Sequence, residues 1–131
     1  MKQSAFQFTT PSLITMAINV NRDFEHCNEE VEITMSMRVK VQRKENEKEA
    51  TVDLHLEIGD ESSMSPYHLI AVEEARFRWH EDLPEDKVNN LLNQNAPSLL
   101  LSYLRPVVMQ TTSVTPFGGY DIPFINFTAE N

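Results

Sequence analysis

A chain of 131 residues, 40% hydrophobic and 24% charged, can bury a core and is not disordered, and it is read as a single domain over residues 1–131. Its 20 acidic and 11 basic residues give a formal net charge of -9, which repels phosphate backbones and argues against nucleic acid as a partner. Cys27 is the only cysteine, and no apolar run reaches the roughly 18 to 20 residues that span a bilayer. The N-terminal MKQSAFQFTTPSLITM lacks the pattern of a signal peptide, so the expectation is a cytoplasmic protein without disulfides or membrane insertion.

In chain order, a period of two appears first after Pro11, at Ile14, Met16, Ile18 and Val20. The clearest such run follows: Val31, Ile33, Met35, Met37, Val39 and Val41 alternate with Glu32, Thr34, Ser36, Arg38, Lys40 and Gln42. Successive strand side chains point to opposite faces, so this pattern predicts one buried and one wet face. After RKENEKE the alternation resumes, with Val52, Leu54, Leu56 and Ile58 against Thr51, Asp53, His55 and Glu57, which predicts an antiparallel hairpin. The turn-rich GDESSMSP leads into a strand over His68 to His80, with Ala75, Phe77 and Trp79 inward and Arg76 and Arg78 outward. Within it, Glu73-Glu74 marks a bulge or a patch apolar on both faces.

DLPEDKVNNLLNQN predicts a short helix, with Pro84 and acids at its start and Val88, Leu91 and Leu92 on one side. Asn95 is expected to cap a second, longer helix whose first turn holds Pro97. TPFGG ends it, and YDIPFINF forms an aromatic tail. Strands first and helices after predict an α+β fold, an antiparallel sheet of four strands or slightly more with both helices on one face.

The long helix has more apolar surface than one sheet can cover. At 100° per residue, Leu99, Tyr103, Val107, Leu100, Leu104, Val108 and Leu101 fill an arc of roughly 200°, about twice the stripe needed. The surplus predicts a second cover, whether another helix, another subunit or a client. Pro106 lies too far along to be a first-turn proline; it removes a bond to the Ser102 carbonyl and predicts a kink.

Catalytic chemistry is absent from the pattern. There is no paired-cysteine zinc spacing, HExxH, Walker loop or nucleophile elbow. His26 adjoins Cys27, His55 falls on a wet strand face, and His80-Glu81-Asp82 suits a cap or a solvated turn. Glu73 and Glu74 face opposite ways on a strand, unlike a catalytic dyad. The expectation is no enzyme, no metal and no cofactor.

The second half resembles SecB, the protein-export chaperone family. Pro97, Leu100, Tyr103 and Arg105 in APSLLLSYLRP are similar to the opening of its main helix. VEEARFRW upstream and IPFINF downstream, ending in Ile125-Asn126-Phe127, follow in order and nearly without gaps from about His68 to Phe127. The chain departs from the family at Ala75-Arg76 and at Pro106. The resemblance implies a four-stranded SecB-like sheet with the helix on one face and assembly into dimers or tetramers. It further implies an ATP-independent holdase that binds unfolded polypeptides and passes clients to the export motor. The apolar residues on or after the long helix, Leu100, Leu101, Tyr103, Leu104, Val108, Phe117, Tyr120, Phe124 and Phe127, are the candidate polypeptide-binding or subunit-interface positions. A homo-oligomeric adaptor or structural protein of the same fold, binding one specific protein, is the alternative.

Overall fold

The computed structural model describes residues 1–25, 32–44 and 46–128. His26, Cys27 and Val31 therefore lie outside the described residues. Five strands come first: β1 (Phe6–Phe8), β2 (Ser12–Val20), β3 (Met35–Arg43), β4 (Glu49–Gly59) and β5 (Tyr67–Trp79). A helical run follows: α1 (Glu85–Asn90), a π-helical turn (Leu91–Asn95) and α2 (Ala96–Ser113). All pairings are antiparallel, with β3 beside β4, β4 beside β5, and β1 and β2 in tandem along the far side of β5. The sheet is thus the expected four strands wide, with its first edge broken in two.

The break has a local cause. Pro11 has no N–H to give the ladder. Just before it, the Thr9 N–H donates to the Arg76 carbonyl at 2.9 Å while the Thr9 hydroxyl accepts from the Arg76 N–H at 3.1 Å. The side chain stands in for a ladder carbonyl and closes the gap between β1 and β2. Phe-Gln-Phe is too short for its alternation to register as a strand in the sequence.

Register confirms the two faces. Val52, Leu54, Leu56 and Ile58 of β4 stand opposite Ala75, Glu73, Ala71 and Leu69 of β5 on the inner face, and the four β4 side chains are almost wholly buried. Each such burial is worth about 1.5–3 kcal/mol against an exposed side chain. Thr51, Asp53, His55 and Glu57 share the outer face with Arg76, Glu74, Val72 and Ile70. The irregularity expected at Glu73-Glu74 lies instead on the neighbouring strand: β2 shifts register between Leu13 and Thr15, opposite Glu73 and Val72. Val72 is buried although it points outward, so the apolar-on-both-faces reading also holds.

The helices are not two separately capped elements. Asn95 has helical torsions (φ -74, ψ -41) and caps nothing with its side chain, contrary to the cap expected from sequence. The helical run continues from α1 into α2 because the Ala96 N–H bonds the Leu91 carbonyl, five residues back. This wider turn precedes Pro97, whose ring would crowd the Asn93 carbonyl in plain α geometry. It also sets rotation. Val88, Leu92, Ala96, Leu100, Leu104 and Val108 are all buried at a spacing of four. In a pure α-helix such a row drifts by about 40° per step, and a turn with more residues takes part of that drift back.

Pro106 is exposed and α2 runs through it to Ser113, so the bond lost at the Ser102 carbonyl falls on the solvent side. At the helix start, Arg43 of β3 pairs with Glu85, reaches Asn89 Oδ1 at 3.3 Å and lies 5.1 Å from the Trp79 ring. The guanidinium holds the Glu85 carboxyl below the usual range. One glycine is required: Gly59 has φ +72, and a Cβ there would lie 2.0 Å from the Tyr67 carbonyl oxygen.

Candidate binding surface

The helix α2 lies over β4 and β5, the middle of the sheet. The inner rows of the two flanking strands, Met16, Ile18 and Val20 on β2 and Met35, Met37, Val39 and Val41 on β3, are therefore only partly covered by it.

The β3 flank is roofed by the chain's own tail. Arg105 donates from its guanidinium to the carbonyls of Ile122 and Pro123, the second at 2.8 Å. The Tyr120 N–H donates to the buried Thr112 hydroxyl at 2.7 Å, and the Tyr120 hydroxyl lies 3.8 Å from Met35 Sδ. Ile122 is buried, and at the end of the sheet Phe117 meets Phe24, four residues past the end of β2, edge to face at 5.4 Å. Burial, with Tyr120 close by, pushes the Tyr67 hydroxyl up to about 12, so this phenol stays neutral under the roof.

The β2 flank has no such roof among the described residues. Arg105 and Thr112 turn toward the tail, so by helical rotation Leu99, Tyr103 and Val107 project from the opposite side of α2, toward β2. Leu99 and Val107 are half-buried, Tyr103 is 40% exposed, and Leu13 on β2 is 44% exposed. These apolar side chains of helix and sheet edge are incompletely covered. On the same inner face Glu73 is 4% exposed, between Leu13 and Leu54 across the strands and Ala71 and Ala75 along its own. Burial raises its carboxyl above the usual carboxylate range. The bounding strand, Ser12–Val20, carries no charged residue.

The positions expected from sequence divide into three groups. Leu100, Leu101, Leu104 and Val108 are buried in the chain's own core. Tyr103 is 40% exposed, on the side of α2 away from Arg105. Phe117, Tyr120 and Phe127 are half-buried in the roof on the other flank, while Phe124 is 93% exposed on the outside of that roof. Tyr103 and Phe124 thus lie on opposite sides of α2 and do not share one groove. Leu13, Met16 and Glu73 were not singled out by sequence. The signal for the first two was a strand devoid of charge; Glu73 carried none beyond its odd place in an apolar row.

The three histidines among the described residues stand apart from one another. His80 Nδ1 accepts from the Asp82 N–H at 3.2 Å in an exposed turn, as read from sequence. His55 is half-buried on the outer face, and His68 lies 3.4 Å from Glu57 and 3.9 Å from Glu61. Among the described residues no cluster of His, Cys, Asp and Glu could hold a metal ion. No helix there is long and apolar enough to cross a membrane.

A family model for preprotein translocase subunit SecB matches residues 13–130. The chain belongs to the SecB family. Among solved structures, a SecB-like chaperone of Mycobacterium tuberculosis, solved in complex with a ChAD peptide from the HigA1 antitoxin, superposes with a TM-score of 0.74. The two are 13% identical, and the match covers 92% of this chain and 90% of that one, so the shared property is the fold. A Streptococcus agalactiae protein of unknown function is also similar, at a TM-score of 0.46 and 13% identity over 91% of this chain and 97% of that one. No curated protein matches by sequence. The SecB family and the SecB-like fold support a chaperone-type role for this chain, and SecB being a chaperone family accords with the non-enzymatic reading.

Proposed function

We propose that the chain is a single SecB-like domain acting as an ATP-independent holdase, in which the trough between α2 and β2 takes extended apolar segments of non-native polypeptides. The observation that carries this reading is the unequal treatment of two equivalent flanks: one is roofed by residues 117–127, the other is apolar and open. Tyr103, Leu99 and Val107 form one wall, and Leu13 and Met16 the other. The exposed backbone of uncharged β2 offers an extended segment hydrogen bonds as well as apolar contact. The same edge and the ridge through Tyr103 suit pairing with a second copy, so a dimer or tetramer is part of the proposal. Phe124 is proposed as a separate anchor at a subunit contact or on a client.

The test is suppression of aggregation. Purified protein at equimolar ratio is mixed with two unrelated unfolding clients and light scattering is followed. Suppression by the wild type, weakened in a Leu13→Asp, Tyr103→Asp double variant, is the expected result; no suppression of either client overturns the reading. Delivery to an export motor, the further step the resemblance implies, is tested by co-elution of the client-loaded protein with that motor.

A second reading, an adaptor for one specific partner, is favoured by the Mycobacterium relative, which was solved with a peptide from one antitoxin. Saturable binding of one natural partner without suppression of unrelated clients would support it over the holdase.

A further inference from the structure

The roof over the β3 flank rests on one face of α2, where Arg105, Met109 and Thr112 follow one another at spacings of four and three. Arg105 and Thr112 hold the tail through hydrogen bonds to its main chain. Met109 holds it by contact alone. Its sulfur lies so close to the Gly119 backbone that a Cβ on residue 119 would collide with Sδ, so only glycine lets the tail come down onto the thioether. The next residue, Tyr120, donates its N–H to the Thr112 hydroxyl at 2.7 Å, and that wholly buried hydroxyl donates in turn to the Val108 carbonyl at 2.7 Å. The thioether is therefore the apolar seal beside a buried pair of hydrogen bonds, at the point where the tail turns onto the sheet.

The seal is also within reach of solutes, since Met109 is 37% exposed. Of the six methionines, Met1 and Met64 are more exposed, in the N-terminal segment and the β4–β5 loop, while Met16, Met35 and Met37 are half-buried on the sheet. Met109 combines exposure with a packing role.

We propose that Met109 is a site of reversible oxidation that sets how tightly the roof is closed. The oxidant is a hydroperoxide, in the simplest case hydrogen peroxide. A sulfur lone pair attacks one peroxide oxygen, the O–O bond breaks and an S–O bond forms. The sulfur gives up two electrons; one oxygen stays as the sulfoxide, and the other leaves as water with both peroxide protons. The product is polar, bulkier at sulfur and in need of water at its new oxygen. It has no room on the Gly119 side, and water drawn into the seam competes for the Tyr120 N–H and the Thr112 hydroxyl. The roof then loosens at Gly119 and Tyr120, and the inner row of β3 beneath it, Met35, Met37, Val39 and Val41, meets solvent. Reduction of the sulfoxide restores the thioether and closes the roof. The β3 flank is thereby a gated apolar surface, whatever occupies the β2 flank.

The test treats the full chain with hydrogen peroxide under native conditions, maps oxidised sites by peptide mass spectrometry and follows amide exchange in residues 117–127. Oxidation of Met109 is expected to speed exchange there severalfold while β5 stays protected, and to raise the fluorescence of an apolar dye. A methionine sulfoxide reductase should reverse both. Met109→Leu keeps an apolar side chain of similar volume and should fold as the wild type does. Its roof should not respond to peroxide, although Met1 and Met64 are still oxidised, whereas Met64→Leu and Met35→Leu should respond like the wild type. A response that survives Met109→Leu overturns the proposal. An unchanged roof in the wild type with Met109 fully oxidised also overturns it, and that arm needs no variant to fold. Met109 left unoxidised when Met64 is fully converted has the same consequence.

Discussion

The two flanks of the sheet begin with the same problem and solve it differently. β2 and β3 each present an inner row of apolar side chains that α2 is too narrow to cover. On the β3 side the chain finishes the work itself, through the Arg105 guanidinium, the Thr112 hydroxyl and the aromatic residues of the tail. The outer positions of β3 also carry Arg38 and Lys40, charges that discourage a further strand from adding there. On the β2 side there is no charge, the register shifts at Leu13/Thr15, and Leu13 and Ile14 are left exposed. A flank closed by its own chain contributes to folding; the flank left open, with the same chemistry, is the one we propose for binding.

The largest effect should come from removing what the flanks share. Leu104 is fully buried at the centre of α2, and Leu104→Ala is expected to destabilise the fold by about 2–5 kcal/mol, read by urea denaturation. Next is the roof. Arg105→Ala removes charged hydrogen bonds at a half-exposed site and should cost about 1–2 kcal/mol. It should also speed amide exchange in residues 117–127 well beyond that of β5, making the closed flank resemble the open one. If exchange there is unchanged, Arg105 does not hold the roof.

Charging the open edge should separate assembly from stability. Ile14→Lys, at an exposed bulge position, should change stability by no more than about 0.5 kcal/mol. Its effect should appear in the size-exclusion mass, which falls if β2 joins a second copy; a mass equal to wild type would remove β2 from the subunit contact.

The smallest effect compares adjacent acids on opposite faces. Glu74 is raised mainly by its hydrogen bond with Asp53, then by burial and by the Asp53 charge. Its folded value lies above the ordinary 4.5, so the stability it contributes is complete below that value and is lost as pH rises through the raised one. Glu74→Gln should flatten this part of the melting-temperature profile and slightly raise the midpoint at neutral pH.

Much of the sheet was legible because period-two alternation is direct evidence of a half-buried strand, and β3, β4 and the end of β5 alternate cleanly. The arc on α2 was also legible, since helical rotation alone shows that its apolar residues, from Leu99 and Tyr103 to Leu101, span more than one sheet can cover. What lay beyond sequence were relations across the chain. Nothing in YDIPFINF says that it closes the β3 flank rather than lining a groove with Tyr103. Nothing in NNLLNQN says that it continues a helix, because Asn, a good capping residue, reads there as a boundary. The candidate site was half legible. Tyr103 was found through its helix, whereas Leu13 and Glu73 acquire meaning only when the open flank places them side by side.

The π-helical turn gives the helix a phase as well as a course. The Ala96 N–H reaches five residues back, so this turn takes up one residue more than α geometry holds. Deleting one residue from Leu91–Asn95 would let the turn close as plain α-helix with α2 kept in phase, whereas deleting one residue within α2 would rotate everything beyond it by about 100°. The wide turn is thus a place where the helical run can absorb a change of length while Tyr103, Leu99 and Val107 keep their side of α2.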